Sequence, residues 1–251
     1  MKIQIVYFSG TGNTMAVANA YGKQLERLGH DVKIDTIEGK QSIEPHDFLI
    51  VGGPIYAGNM PHELIQWVRR HVPKSNGPKK AIVFSTSAVL GNAHGVKSIA
   101  KKLIKKGYEI TDAACFEMPR NFYIERYDPT PEADQIRQFN QAAEMIVQSI
   151  QTMGYESTYN VTKSVLMIDM LADIFAIMAK SMGKKFEIDE TCIQCGICEK
   201  NCPKQNITVA TKTYHNRCIL CTRCIHNCPV AAISYKGKKI EPYRVPYEIK
   251  I

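Results

Sequence analysis

The chain has 251 residues, a formal net charge of +8 and nine cysteines. This length suggests one or two domains, and the cysteine distribution favours two, because only Cys115 precedes residue 192. The basic residues are scattered and form no aromatic-basic stripe, which argues against nucleic acid as a partner. The opening residues MKIQIVYFSG carry no charged-then-apolar signal segment, and we expect a cytoplasmic protein.

The first predicted element is a strand over residues 3 to 8, followed by a glycine-rich loop and a helix over 13 to 28. Gly10 and Gly12 allow a tight turn, and amides at the helix start would face an anion. A nucleoside-triphosphate loop would end in Gly-Lys-Ser/Thr, and a dinucleotide loop would need a small residue where Met15 stands. The pattern therefore predicts a phosphate loop without a lysine.

Further strands are predicted over 31 to 36, 47 to 51, 80 to 85 and 112 to 117, and helices over 61 to 71, 94 to 106 and 131 to 152. Only about ten residues, including Pro45, join the second and third strands, so we expect a turn or one helical turn there. This alternation predicts an α/β fold with a doubly wound, five-stranded parallel sheet.

The phosphate loop Ser9-Gly10-Thr11-Gly12-Asn13-Thr14 resembles the flavodoxin signature Thr/Ser-x-Thr-Gly-x-Thr. The resemblance implies a flavodoxin-like fold and a bound FMN, with its phosphate in this loop and its ring between two later loops at the carboxyl ends of strands. We expect Tyr56 to stack on the ring. The residues implied in FMN binding are Ser9, Gly10, Thr11, Gly12, Asn13, Thr14, Pro54, Ile55, Tyr56, Ala57, Gly58, Asn59, Ser85, Thr86, Ser87, Ala88, Gly91 and Asn92.

One departure from small flavodoxins concerns charge. Acidic residues often surround the flavin in those proteins, whereas residues 53 to 61 and 85 to 95 contain no Asp or Glu. Because a nearby carboxylate opposes negative charge on the reduced flavin, we hypothesise a less negative potential for its full reduction here.

A nearly all-apolar helix is predicted over residues 164 to 180, with Asp169 and Asp173 four apart on one face. It is too short, and too interrupted by carboxylates, for a transmembrane span. Three interpretations remain: packing between two domains, a docking surface for a partner, and a peripheral membrane contact.

Eight cysteines form two copies of Cys-x-x-Cys-x-x-Cys-x-x-x-Cys-Pro, the spacing of a bacterial ferredoxin with two 4Fe-4S clusters. Three thiolates of each run can hold one cluster, whereas the fourth has turned away and ligates the other. Zinc and disulfides are the competing interpretations; zinc sites usually pair two Cys-x-x-Cys units, and disulfides require an oxidising compartment. The predicted ligands are Cys192, Cys195, Cys198 and Cys228 for cluster one, and Cys218, Cys221, Cys224 and Cys202 for cluster two.

The whole chain resembles flavodoxin-ferredoxin fusion proteins. The resemblance implies an FMN domain over residues 1 to 155, a linker with the apolar helix over 156 to 185, and a small α+β ferredoxin domain over 186 to 251. We expect the tail from Tyr243 to Ile251 to lie back on a domain.

The leading functional prediction is an electron-transfer protein that converts between one-electron and two-electron steps, with redox proteins as partners. The alternative is a flavin-dependent oxidoreductase that reduces a quinone, a nitro compound or oxygen. An open pocket over the flavin, lined by groups such as Tyr56, His94 or Tyr123, would favour the enzyme; a flavin with only its dimethylbenzene edge exposed would favour the carrier.

Overall fold

The computed structural model describes residues 1–89, 94–124, 127–156, 159 and 165–251. Among these residues, no helix is both long and apolar enough to cross a membrane.

The N-terminal part is a five-stranded parallel sheet in the order β2-β1-β3-β4-β5, with helices on both faces. Strand order and direction confirm the predicted doubly wound sheet, and a turn without helix joins β2 to β3. The elements are β1 (Lys2–Tyr7), α1 (Asn13–Arg27), β2 (Asp31–Thr36), β3 (Phe48–Pro54), α2 (His62–His71), β4 (Lys79–Ser87), α3 (His94–Ile104), β5 (Tyr108–Glu117) and α4 (Glu132–Gln151), the last followed by a 3-10 turn (Thr152–Gly154).

Strand β3 extends beyond its predicted end at residue 51, through Gly52, Gly53 and Pro54. The sequence Gly-Gly-Pro indicates a turn, but packing requires these glycines in the strand. A β-carbon on Gly52 would lie 2.0 Å from the Phe84 ring, and one on Gly53 would lie 2.4 Å from Leu64. The missing side chains leave room for the Phe84 ring beside β3 and let α2 pack closely against the sheet.

Two apolar cores lie on opposite faces of the sheet. Helices α2 and α3 cover one face through residues such as Leu64 and Ile99. Helices α1 and α4 cover the other, where Tyr21 and Phe139 are buried. Because both faces are covered, the central strands are almost continuously apolar.

The apolar segment forms α5 (Leu166–Gly183), and residue 164 of the predicted helix lies outside the described residues. Its buried face packs on α2 and α3 through Ala172, and Ala179 belongs to the core of the cysteine-rich segment. The helix therefore does lie between the two parts of the chain. Its opposite face remains exposed and apolar, and comprises Leu166, Met167, Met170, Leu171, Ile174, Ile177 and Met178.

Asp169 fastens α5 to the sheet domain. Its carboxylate accepts hydrogen bonds from Lys102 Nζ at 2.6 Å, from Asn59 Nδ2 at 3.4 Å and from the Ser98 hydroxyl. Burial alone would raise the pKa of Asp169, but these donors outweigh it and lower the pKa. Asp173 lies within hydrogen-bond distance of His62, 2.6 Å from its Nδ1, so both carboxylates attach the helix to its neighbours.

The cysteine-rich segment, residues 186 to 251, contains short elements around a small core. Strands β10, β9 and β6 form one antiparallel sheet, and β7 pairs with β8. The final residues return to the sheet domain, where Ile249 is buried against the α1 face. The elements are β6 (Phe186–Ile188), α6 (Ile197–Lys200), β7 (Ile207–Thr208), β8 (Thr213–Tyr214), α7 (Arg223–Asn227), β9 (Ile233–Tyr235) and β10 (Lys238–Lys239).

Candidate functional site

A cavity of about 420 Å³ lies at the carboxyl ends of the parallel strands. Its volume is within the usual range for a cofactor site, and its position beside the β1/β3 switch point is where this topology binds ligands. Sequence-predicted residues in its lining are Ser9, Gly10, Thr11, Asn13, Thr14, Pro54, Ile55, Tyr56, Ala57, Thr86, Ser87 and Ala88.

The loop after β1 is built to bind an anion. Gly12 has a left-handed backbone (φ 109°) and begins α1. The Ser9 hydroxyl oxygen accepts hydrogen bonds from the amides of Gly12 at 3.1 Å and Met15 at 3.3 Å, so its hydrogen remains available to an anion. The first amides of α1 have no acceptor within the helix, and they add donors at the positive end of its dipole.

Residues from distant parts of the chain hold this loop in place. The Asn13 amide donates to the Pro119 carbonyl at 2.9 Å and accepts from the Tyr243 hydroxyl at 2.6 Å. A β-carbon on Gly12 would lie 2.6 Å from a methyl group of Val245, so the C-terminal tail covers the loop. The expected return of the tail onto a domain is confirmed.

The loop after β3 contributes Tyr56 to the cavity. Tyr56 and Asn59 exchange backbone hydrogen bonds of 2.7 and 3.2 Å around Ala57 and Gly58, both of which have left-handed backbones. This tight turn orients the Tyr56 ring toward Gly10, where its hydroxyl would lie 2.7 Å from a β-carbon. Burial raises the pKa of Tyr56 well above its ordinary value, so the phenol stays neutral.

Four predicted FMN residues do not line the cavity. Asn59 is fully buried and donates to the Ile168 carbonyl in α5 at 3.1 Å, so it supports the helix. Ser85 is buried in the sheet beside Cys115 of β5. Gly12 and Gly58 are not part of the lining, but their left-handed backbones form the turns that carry lining residues. Gly91 and Asn92 lie outside the described residues.

The other side of the cavity is lined by residues outside the predicted FMN set. The sequence places the segment Arg120 to Tyr123 after β5 near this edge, as a flavin cover or a partner surface, because every strand of a parallel sheet ends at the same edge. Phe175 and the loop of Leu220, Cys221 and Thr222 come from distant parts of the chain, and no local pattern connects them to the flavin loops. The lining residues outside the predicted set are Met118, Pro119, Arg120, Asn121, Phe122, Phe175, Leu220, Cys221 and Thr222.

The lining is nearly neutral. Among its described residues Arg120 is the one charged side chain, and no carboxylate is present. Arg120 lies 3.4 Å from Asp128 on the surface, which balances its charge in part.

The eight clustered cysteines divide between two small cavities. One is lined by Cys192, Cys195 and Cys198 of the first run together with Cys228 of the second. The other is lined by Cys218, Cys221 and Cys224 together with Cys202. Each cavity thus receives three cysteines from one run and the fourth from the other run. Apolar residues such as Ile188, Val209 and Ile233 surround the first.

The two runs have the same backbone geometry. The amides of Gln194 and Leu220 each donate to a cysteine sulfur two residues earlier, at 3.4 Å. The amides of Asn206 and Ala232 each donate to a sulfur four residues earlier, at 3.3 Å. Each of the two bonds in the first run has its counterpart 26 residues later in the second run, so the sequence repeat is also a structural repeat.

The buried thiols provide a test of whether these residues suit a metal. Burial raises the pKa of Cys218 to about 11 and that of Cys221 to about 12, so without a metal they would be neutral at physiological pH. Bound iron would stabilise the thiolates, and the amide-to-sulfur bonds would add to this. All nine cysteines are free of disulfides.

No group of three or more His, Cys, Asp or Glu side chains in the described part of the chain is close enough to hold a single metal ion. A 4Fe-4S cluster has a different requirement, because each of its four thiolates binds a separate iron at a separate corner.

Arg223 connects the cysteine-rich segment to the sheet domain. Its guanidinium contacts both oxygens of Glu38, at 2.5 and 2.7 Å, and donates to the carbonyls of Gly10 at 3.2 Å and Ser9 at 2.5 Å. It also lies 5.7 Å from the Phe8 ring centre. The matching position in the first run is Ile197, so the repeat itself contains a signal that the second run has an additional role.

Comparison with known proteins supports the assignment of the N-terminal part. Residues 4–122 match the family model described as flavodoxin domain. Comparison with curated proteins gave no match.

Similar solved structures include three flavodoxins. Oxidised flavodoxin 2 from Bacillus cereus is 20% identical, with 60% of this chain and 99% of that chain covered and a TM-score of 0.44. The two-electron reduced flavodoxin of Megasphaera elsdenii is 25% identical, with coverages of 47% and 89% and a TM-score of 0.40. A Fusobacterium nucleatum flavodoxin bound to flavin mononucleotide is 19% identical, with coverages of 43% and 68% and a TM-score of 0.37. With the family match and the observed sheet order, the N-terminal part of this chain is a flavodoxin-like domain.

Proposed function

We propose that this chain is an electron-transfer protein that holds one FMN in the cavity of the flavodoxin-like domain and two 4Fe-4S clusters in the cysteine-rich segment. When bound, each cluster exchanges one electron and FMN exchanges one or two, so the three groups together would convert between one-electron and two-electron steps. The cysteine-rich segment would then be a ferredoxin-like domain.

Residues of the first loop would hold the FMN phosphate. Amides at the start of α1 and the hydroxyls of Ser9, Thr11 and Thr14 supply donors without a lysine. Gly10 and Gly12 would form the cradle, since a β-carbon at either position meets a neighbour at 2.7 or 2.6 Å. The neutral lining beyond this loop suits an uncharged ring, with Tyr56 and Phe175 as its aromatic neighbours.

The cysteines of each small cavity would hold one cluster. Cys192, Cys195, Cys198 and Cys228 would ligate cluster one, and Cys218, Cys221, Cys224 and Cys202 would ligate cluster two. Zinc is a weaker interpretation, because a third cysteine in each run has no place in paired Cys-x-x-Cys units.

One observation carries the proposal: Cys221 lines both the flavin cavity and the cavity proposed for cluster two. A flavin and a cluster bound there would be separated by little more than this residue. Such proximity is what electron transfer between them requires.

Groups from outside the flavodoxin-like domain favour the carrier over the enzyme. Leu220, Cys221 and Phe175 line the cavity together with the flavodoxin-like loops, so they leave less open surface over the flavin for a substrate. Tyr56 lines the cavity, but Tyr123 is buried outside it and donates its hydroxyl to the Arg120 carbonyl at 2.6 Å. The side chain of His94 lies outside the described residues.

The partners that fit this function are redox proteins in the cytoplasm, one as donor and one as acceptor. The exposed apolar face of α5 is available for contact with a partner or, less favourably, with a membrane surface.

The proposal is tested by anaerobic purification and reconstitution, followed by analysis of bound flavin, iron and sulfide. We expect one FMN and about eight irons per chain, in line with two four-iron clusters. Candidate donors are then added while flavin and cluster absorbance are followed separately. Stoichiometric zinc in place of iron, or rapid reduction of quinones by the isolated protein with no partner present, would contradict it.

A further inference from the structure

Part of the wall of the flavin cavity is formed by the same loop that supplies three of the cysteines around the second small cavity. Leu220, Cys221 and Thr222 line the flavin cavity, and Cys218, Cys221 and Cys224 line the cavity of cluster two. The described lining residues of the first small cavity and of the flavin cavity do not overlap. The two cluster sites are therefore not equivalent with respect to the flavin, although their sequences repeat.

The contact between this loop and the phosphate loop is close. A β-carbon on Gly10 would lie 2.7 Å from the Cys221 carbonyl oxygen and 3.4 Å from its β-carbon. The two backbones thus approach without a side chain between them. A displacement of the Cys221 loop would therefore also displace the phosphate loop.

The loop's conformation depends on its surroundings. Leu220 and Thr222 both have left-handed backbones, with φ of 55°, an unfavourable conformation for residues with side chains. At the position matching Thr222 the first run has Gly196, which adopts this conformation readily. The amide of Leu220 donates to the Cys218 sulfur, so sulfur ligands help to keep the loop in this shape.

Arg223 transmits the loop's position to the flavodoxin-like domain. Its side chain is 15% exposed, and its bidentate contact with Glu38 is accompanied by bonds to the Ser9 and Gly10 carbonyls. It thereby fixes the start of α7, one residue after Thr222, against the phosphate loop. This role makes Arg223 a positioning residue, because it does not line the flavin cavity itself.

We propose that cluster two and FMN bind cooperatively, with the Leu220–Thr222 loop and Arg223 as the coupling element, whereas cluster one is independent of FMN. This inference rests on the proposed function, since it requires that both groups bind. If one ligand stabilises the observed position of the loop, it favours binding of the other ligand by the same factor, because coupling between two binding sites is reciprocal.

A pair of ligand variants tests the coupling. Cys202→Ser removes a proposed cluster-two ligand that does not line the flavin cavity, and Cys228→Ser removes its counterpart from cluster one. Each anaerobically reconstituted variant is analysed for iron and titrated with FMN by quenching of flavin fluorescence. We expect Cys202→Ser to raise the Kd for FMN about tenfold and Cys228→Ser to leave it within about twofold. Equal values of Kd for both variants would overturn the proposal.

The wild-type chain supplies the reciprocal measurement, which does not depend on whether the variants fold. A chelator is added to protein with and without FMN, and cluster loss is followed by absorbance and iron release. FMN should slow the loss of about half the iron and leave the other half unaffected. Identical release curves would contradict the coupling.

Arg223→Gln tests the positioning residue. It should weaken FMN binding while about eight irons per chain are retained, and Arg223→Lys should restore only part of the affinity because a lysine cannot form the bidentate contact. Unchanged affinity in Arg223→Gln would remove Arg223 from the coupling. If the wild-type protein binds no FMN or no iron, the proposed function fails; if it binds both without mutual influence, only this inference fails.

Discussion

A β-carbon on Gly10 would lie 2.7 Å from the carbonyl oxygen of Cys221, across the boundary between the flavodoxin-like domain and the cysteine-rich segment. Gly10 belongs to the phosphate loop and Cys221 to the second cysteine run, so two motifs more than 200 residues apart meet at their backbones. Glycine in the phosphate loop therefore has a second role besides turning the chain: it allows this contact.

Gly10→Ala tests that role. The added methyl group must displace both the Cys221 carbonyl and the Tyr56 hydroxyl, so we expect a loss of about 1–3 kcal/mol in the free energy of unfolding. Urea unfolding at neutral pH measures it. Gly77→Ala is the matched control, because in the described part of the chain a β-carbon at Gly77 has no neighbour within 4 Å. Equal stability of the two variants would show that the boundary is looser than the structure indicates.

The ion pair of Arg223 and Glu38 should contribute to the stability of this boundary. Both side chains are largely buried, with 15% and 28% exposure, so removing one partner leaves the other charge poorly solvated. We expect about 2–4 kcal/mol of destabilisation from Arg223→Gln, and a coupling energy above about 1 kcal/mol in a double-mutant cycle with Glu38→Gln.

The pair of Lys23 and Glu248 is the comparison for that cycle. It also connects the sheet domain to the C-terminal tail, but its side chains are 57% and 58% exposed. Exposed pairs of this kind contribute about 0–1 kcal/mol. A coupling energy for Arg223 and Glu38 no larger than that of Lys23 and Glu248 would contradict the interpretation.

Much of the sheet domain could be predicted from the sequence, because apolar runs of strand length alternate with amphipathic helices. The phosphate loop could also be predicted, since its glycines and hydroxyl residues are contiguous. The part of the cavity wall formed by Phe175 and Leu220 could not be predicted, because the residues around them in the sequence do not indicate a flavin contact. They reach the site through the packing of α5 and the second cysteine run, which depends on contacts between distant residues such as Arg223 and Glu38.

Asn59 shows a different limit to what the sequence indicates. It lies in the predicted flavin loop, but its amide is directed away from the cavity toward Ile168 and Asp169. A polar residue in a ligand-binding loop can serve the ligand or the scaffold, and its position in the sequence does not distinguish the two.

The absence of carboxylates from the described cavity lining leads to a prediction about potential. Ala57→Asp introduces one at an exposed lining position that already has a left-handed backbone (φ 49°), which aspartate tolerates. Its charge opposes negative charge on the reduced flavin by about 1 kcal/mol near the surface, or roughly 40 mV for one electron. Ala57→Asn, of the same shape without the charge, is the control. Redox titrations giving the same flavin potential for both variants would refute the electrostatic explanation.

For Gly183 we predict that replacement by alanine lowers the stability of the protein, the opposite of its usual effect in a helix. Alanine normally stabilises a helix relative to glycine by about 1 kcal/mol. At Gly183, the last residue of α5, a β-carbon would lie 2.1 Å from the β-carbon of Cys218 and 2.6 Å from its sulfur. We therefore expect Gly183→Ala to lower thermal stability and to reduce the iron content of the reconstituted protein by about half, through cluster two. Gly154→Ala, where a β-carbon has no neighbour within 4 Å among the described residues, should leave the iron content unchanged. A stabilised Gly183→Ala protein with full iron content would mean that α5 does not rest on Cys218 in the loaded protein.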